Sequence, residues 1–256
     1  MRLLAIASIL FFSHFTHATI VQMSTDYGDL TINLYDVDTP KTVENFLRYV
    51  EAGHYDGVVI HRSIPNFIIQ SGGYTSVVNE NGNDYLIDIT KYAAVVNEPV
   101  FSNVQGTIAM AKVSNSPNSA TSQWFLNLAD NSANLDVQNG GFTVFGSIES
   151  SEINQNTLSQ LVAIPTYYFG GFTSNIPLHN GYTESDYNSN PIVSPSDEHF
   201  LKIHSVSIID YTVDTASELE KPENTLIDSL GSDSAGSLHF IGLMMLLSLI
   251  SIRRSR

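Results

Sequence analysis

The sequence has 256 residues, no cysteine and a formal net charge of −15. That length suits one domain with added segments and is enough to bury a sizeable core. The missing thiols exclude a disulfide scaffold, a cysteine-based zinc site and a thiol nucleophile. The acidity argues against a nucleic-acid partner, whose backbone needs Lys and Arg to displace its counterions.

The charge is unevenly placed. Residues 1–18 carry one Arg and no acid, and residues 238–256 carry three Arg and no acid. The stretch between them sets seven Lys and Arg against all 26 Asp and Glu, a net −19. The two ends are therefore a different kind of sequence from the middle. Met1-Arg2, an apolar run over residues 3–12 and the small-residue site Thr16-His17-Ala18 have the layout of a secretory signal peptide. Residues 1–18 are read as that signal, which makes the protein an exported one.

Strands are expected at 20–24 and 30–35. They flank the turn Asp26-Tyr27-Gly28-Asp29, and Leu30, Ile32 and Leu34 alternate with polar residues. A helix follows. Thr39 can cap it, Pro40 suits its first position, Val43, Phe46, Leu47 and Val50 share one face, and Gly53 can end it. Further strands are expected at 58–62, 67–71, 107–112, 124–128, 142–148 and 201–211. Turn signals stand at Asn81-Gly82, Asn139-Gly140-Gly141 and Asn180-Gly181. A second helix is expected over 152–163, with Leu158, Leu161 and Val162 apolar and Pro165 just beyond. Residues 167–195, rich in Asn, Gly, Pro, Ser and Thr, read as a long surface insertion. Eight strands and two helices give a mainly β chain, folded as a closed eight-stranded antiparallel β-barrel with two capping α-helices.

The C-terminus has two further parts. Residues 212–234 are polar and acidic and read as a flexible linker. Residues 235–256 comprise Ala235-Gly236-Ser237, an apolar run of 15 and Arg253-Arg254-Ser255-Arg256. As a helix that run spans about 22 Å, short of the ~30 Å hydrocarbon core unless residues 235–237 join it. The arginines would stay on the cytoplasmic side. This layout resembles the GlyGly-CTERM type of bacterial sorting tail, with Ala235-Gly236 in place of the glycine pair. The resemblance implies cutting near the small residues and passage to the cell surface; a plain membrane anchor is the alternative. The expected place is the periplasm or the cell surface, with membrane contact only through residues 235–256. The domain proper is 19–211.

Generic catalytic motifs are absent. No Gly-x-Ser-x-Gly and no Gly-rich phosphate loop occurs. His199 and His204 lie five apart on an expected strand, so they would face opposite sides.

Two segments carry more. The first is Ile60-His61-Arg62-Ser63-Ile64-Pro65-Asn66-Phe67-Ile68-Ile69-Gln70-Ser71-Gly72-Gly73. The second is Gly106-Thr107-Ile108-Ala109-Met110-Ala111, continuing to Ser122-Gln123-Trp124-Phe125-Leu126. Both resemble the cyclophilin-type peptidyl-prolyl cis-trans isomerases. So do Thr39-Pro40-Lys41-Thr42-Val43-Glu44-Asn45-Phe46, Leu135-Asp136 and Gly141-Phe142-Thr143-Val144-Phe145-Gly146, in the family's order, over about residues 19–211.

The resemblance implies the same barrel, with the active groove on its outer face. It implies Arg62 as the catalytic arginine, with Phe67 and Gln70 beside it. It also implies substrate contacts from Ile68, Ala111, Gln123, Phe125, Leu135 and Phe142. No cofactor and no metal are implied. The partners are unfolded or flexible polypeptides containing proline, and the chain is expected to act as a monomer. Ile68 stands where a methionine is usual, a volume-conserving change, and Phe142 replaces a common histidine. His61 is read as a structural strand residue and Trp124 as core.

The residue types suit the chemistry. An X-Pro bond turns over a barrier of about 20 kcal/mol set by amide resonance, and no covalent step is needed. A site must hold the twisted amide better than either planar form. Its nitrogen then becomes pyramidal and accepts a hydrogen bond, which a permanently charged guanidinium can donate. Two other classes fit the same residues. One is a groove-binding chaperone with little turnover, and the other is an envelope binding module that uses the 167–195 insertion.

Overall fold

The computed structural model describes residues 19–212 and 215–227. The expected signal peptide and the 235–256 segment lie outside the described residues.

The first hairpin forms where the alternation places it. β1 (Ile20–Thr25) and β2 (Gly28–Leu34) pair in continuous register down to Thr25 opposite Gly28. Gly28 adopts φ +120°, a conformation side chains with a Cβ resist. α1 (Pro40–Glu51) begins at its proline and buries Val43, Phe46, Tyr49 and Val50 on one face. The chain turns out of it through Gly53 at φ +65°.

The next strands are short and bent. β3 (Val58–Val59) and β4 (Arg62–Ile64) are separated by Ile60-His61. β5 (Ile68–Ser71) and β6 (Tyr74–Val78) are separated by Gly72-Gly73. β7 (Asp84–Asp88) completes a hairpin with β6 across the Asn81-Gly82 turn. β8 (Thr107–Met110), β9 (Trp124–Asn127), the single helical turn α2 (Ser132–Leu135) and β10 (Val144–Ile148) follow. α3 (Glu152–Val162) is capped by the Ser151 hydroxyl, which accepts from the Asn154 N–H. It packs on β2, where Asn154 accepts from the Thr31 N–H at 3.0 Å. The final sheet strand is β13 (Lys202–Asp210), after β11 (Thr166–Tyr167), β12 (Ile176–Pro177) and α4 (Glu184–Tyr187).

The main sheet is antiparallel, in the order β4-β5-β9-β8-β10-β2-β1-β13-β3-β6-β7. It counts eleven strands where eight were expected. One expected strand, 58–62, is broken at its bend. The β6–β7 hairpin was also missed: its strands are half-exposed and bounded by Asp84 and Asp88, which blurs their alternation. Residues 58–64 pair with β13 through their first half and with β5 through their second. The mainly β, antiparallel character with few helices is as expected.

One core lies between the sheet, α1 and α3, around Met23, Ile32, Phe46, Ile69, Trp124 and Phe145. A second cluster covers the other face of β5, β9, β8 and β10. β5, β8 and β9 are therefore buried along their whole length, polar members included, and show no in-and-out alternation of exposure.

Two expectations need correction. The 167–195 stretch is no loose surface loop. β11 and β12 pair, and Tyr167, Ile176, Leu178 and Tyr182 bury with Val59 and Phe200 in a third cluster. Asn175 lies alongside Arg62, its carbonyl accepting from the Ser63 N–H at 2.8 Å, so the edge of β4 is covered. Within the expected 212–234 linker, residues 215–227 are packed rather than free. Ala216 is buried, Glu223 bridges to Phe101, and Lys221 pairs with Asp38 at 2.6 Å. Backbone groups, small side chains and one lysine make these contacts, so composition gave no sign of them.

Candidate active site

Strand alternation sorts the residues of β5 and β9 between two faces. Ile69, Trp124 and Leu126 point into the main core. Ile68, Gln70 and Phe125 point the other way. Cross-strand pairing then sets Arg62 opposite Gln70, Gln70 opposite Phe125, Phe125 opposite Ala109 and Ala109 opposite Val144. One row of residues thus runs from a guanidinium to an apolar floor.

The apolar members gather there. Ile68, Phe125, Leu135 and Phe142 are buried in one cluster, with Phe67 and Ala111 partly buried against it. The Phe125 and Phe142 rings meet edge to face at 5.7 Å. Beside them the polar members form a chain. Arg62 Nη1 donates to Gln70 Oε1 at 3.4 Å, and Gln70 Nε2 donates to Gln123 Oε1 at 2.9 Å. Burial lowers the Arg62 pKa from its ordinary value. The structure therefore brings all nine predicted site residues to one face of the sheet. His61, at the bend between β3 and β4, is buried edge-on against Tyr74 at 4.8 Å.

An amide ladder holds the Phe67 end. Asn131 Nδ2 donates to the Phe67 carbonyl at 2.9 Å and to Asn127 Oδ1 at 2.8 Å, and Asn127 Nδ2 donates to Thr107 Oγ1 at 2.9 Å. Phe142 and Leu135 sit at the neck of a loop, where the Phe142 N–H donates to the Leu135 carbonyl at 2.9 Å.

Three contributors escaped the sequence reading. Tyr74 hydrogen-bonds Gln123 and stacks on Phe172 from the insertion at 4.0 Å. Together with Ala111 and Gln123 they line a cleft of about 260 Å³ next to the row. Lys112 is buried, donates to the carbonyls of Asn139 and Gly141, and lies 4.8 Å over the Phe142 ring. Burial lowers its pKa to about 8. A lysine directly after Ala111 was visible, but nothing in the sequence showed that it would be buried. Among the described residues no cluster of His, Asp and Glu could hold a metal ion.

The arrangement sets a charged donor beside an apolar cluster, with two amides steadying it.

Comparison with known proteins follows from this geometry. The sequence model of the family described as cyclophilin type peptidyl-prolyl cis-trans isomerase/CLD matches residues 20–178. The chain is 34% identical over 177 residues to a peptidyl-prolyl cis-trans isomerase of Acinetobacter baylyi, spanning 68% of this chain and 87% of that one. It is 36% identical over 150 residues to peptidyl-prolyl cis-trans isomerase A of Dickeya dadantii, spanning 57% and 74%. It resembles a crystal structure of a Cryptosporidium parvum cyclophilin type peptidyl-prolyl cis-trans isomerase, determined in the presence of the dipeptide Ala-Pro. There the TM-score is 0.51 at 22% identity, over 75% of this chain and 99% of the other, a likeness of fold.

Proposed function

Since this chain belongs to the cyclophilin-type peptidyl-prolyl cis-trans isomerase family, and is a peptidyl-prolyl cis-trans isomerase, we propose that Arg62 carries its reaction. The proline ring of the substrate sits on Phe67, Ile68, Phe125, Leu135 and Phe142. The residue before it lies along Ala111 and Gln123. As the amide twists, its nitrogen pyramidalises and Arg62 donates to it. Gln70, tied to Gln123, steadies the guanidinium and meets the turning carbonyl. The observation that carries this reading is the cross-strand row of Arg62, Gln70 and Phe125 beside a second apolar cluster. The sheet closes as a barrel in the same reading, because residues 58–64 give one half to β13 and the other to β5. A protease-coupled isomerisation assay on a short Xaa-Pro peptide tests it. Rates for wild type and Arg62→Ala that both equal the uncatalysed rate would overturn it.

Gly73 offers a finer test. A Cβ there would come within 2.5 Å of Gln123 Nε2 and 2.7 Å of its Cδ. Gly73→Ala must therefore push the Gln123 amide off Gln70. Because the displaced group is the end of a flexible side chain, the fold is expected to survive. kcat/KM is expected to fall by about ten- to a hundredfold, the scale of an ångström of misplacement. Steady-state kinetics beside a thermal melt separates the two effects.

The substrates are unfolded or flexible proteins outside the cytoplasm. The support is the signal-like residues 1–18 and the apolar, arginine-ended residues 235–256. Mass spectrometry of the protein from its native cell is expected to show residue 19 as the first. A retained residue 1 would remove the case for export.

A further inference from the structure

We propose that residues 215–227 are a strap belonging to the substrate groove, with Asn224 as a positioning residue for the loop that carries Leu135 and Phe142. This rests on the reading of those two side chains as walls of the proline pocket.

Within the loop the Gly141 N–H donates to Gln138 O at 3.0 Å, beside the bond at the neck. Asn139, Gly140 and Gly141 all have positive φ, at 54°, 76° and 70°, so no regular ladder runs through it. Side chains from elsewhere bind its carbonyls instead. Asn97 Nδ2 takes Gly140 O at 2.8 Å and Gly141 O at 2.9 Å, and Asn103 Nδ2 takes Phe142 O at 3.1 Å. The carbonyl of Asp136, next to Leu135, is taken by Asn224 Nδ2 at 2.9 Å. Leu135 and Phe142 are joined at the neck, so a shift at Asp136 reaches both pocket walls.

The strap is built to hold Asn224 there. Asn224 is 7% exposed. Its N–H donates to Val100 O at 2.8 Å, and its Oδ1 accepts from the N–H groups of Leu226 and Ile227. Upstream, the Pro222 carbonyl accepts from the Ser102 N–H at 2.8 Å. Ser102 in turn donates its hydroxyl to the buried Asp136 carboxylate at 2.6 Å. Thr215 bonds Asn33 at 2.9 Å, and Ala216 is 2% exposed inside the same cluster as Phe125 and Phe142. A Cβ on Gly141 would lie 3.2 Å from Asn224 Nδ2, so the amide fits closely under the loop.

The test uses the full chain as wild type, Asn224→Ala, Asn224→Asp and Arg62→Ala. kcat and KM are measured on an Xaa-Pro peptide, beside the thermal midpoint. Asn224→Asp keeps the shape of the side chain and removes the donor, so it decides the matter if Asn224→Ala fails to fold. Losing one hydrogen bond under the pocket is expected to raise KM about five- to tenfold, with kcat within about twofold of wild type. A folded Asn224→Asp protein with wild-type KM overturns the strap. Retained activity in Arg62→Ala moves the catalytic power from the guanidinium to the pocket, and a wild-type KM in Phe142→Ala, measured alongside, overturns the reading of the pocket walls instead.

Discussion

Replacing Arg62 with alanine is expected to lower kcat/KM on an Xaa-Pro peptide by about a thousandfold while the protein stays folded. That factor corresponds to about 4 kcal/mol of transition-state stabilisation, the size usual for one preorganised donor aimed at developing charge. The donor here is half-buried, which strengthens its field, and Gln70 and Gln123 fix its direction. The planar amide offers it little, because resonance occupies the nitrogen lone pair. The contact therefore strengthens in the twisted state, and the loss falls on kcat. Arg62→Lys is expected to recover only part of the rate, since an ammonium has no fork to bond Gln70 and substrate together. The protease-coupled assay at low substrate, beside a thermal melt, measures this. A loss under tenfold in Arg62→Ala would move the catalytic power to the pocket.

The second large effect is sensitivity to acid, through the neighbour of Arg62. His61 is 2% exposed, and burial lowers its pKa to about 3. A hydrogen bond to the Val59 backbone opposes the shift, and the Arg62 charge adds to it. In the unfolded chain a histidine titrates near 6.5. Between about pH 6.5 and 3 the unfolded state therefore binds one more proton than the folded state. Stability is full above that window and falls as the pH drops through it, by about 5 kcal/mol in all. Against a total of roughly 5–15 kcal/mol for a domain, this can unfold the protein. Urea titrations at pH 7 and 4.5 are expected to differ by about 3 kcal/mol from this group alone. His61→Phe should lose that share. Nδ1 of the ring has no partner and the ring packs on aromatic side chains, so phenylalanine suits the site. An equally steep acid limb in His61→Phe would place the sensitivity among the carboxylates.

Much of this was legible in the residues. α1 was marked by Pro40, its apolar spacing and Gly53, each acting within one turn. The residues of the row came from the resemblance of their segments to a known family, and strand alternation accounts for Arg62, Gln70 and Phe125 sharing a face. What escaped depends on contacts remote in sequence. Phe172 reaches Tyr74 across nearly a hundred residues, and Asn224 reaches Asp136 across 88. Neither belongs to an apolar run. The strap holds on largely through the carbonyls of Pro222 and Glu223, and every residue has a carbonyl. The burial of Lys112 left no mark in the sequence because its partners are likewise backbone oxygens.

β5, β8 and β9 are each four residues long and buried on both faces. Evolution of new substrate preference therefore has little room on these strands. Almost every replacement that alters the groove on one side disturbs Ile69, Trp124 or Leu126 on the other. Variation is cheaper at half-buried positions outside these strands, as at Phe172. A library meant to redirect specificity belongs on the insertion, with the strands, the 139–141 loop and Asn224 left as the fixed frame.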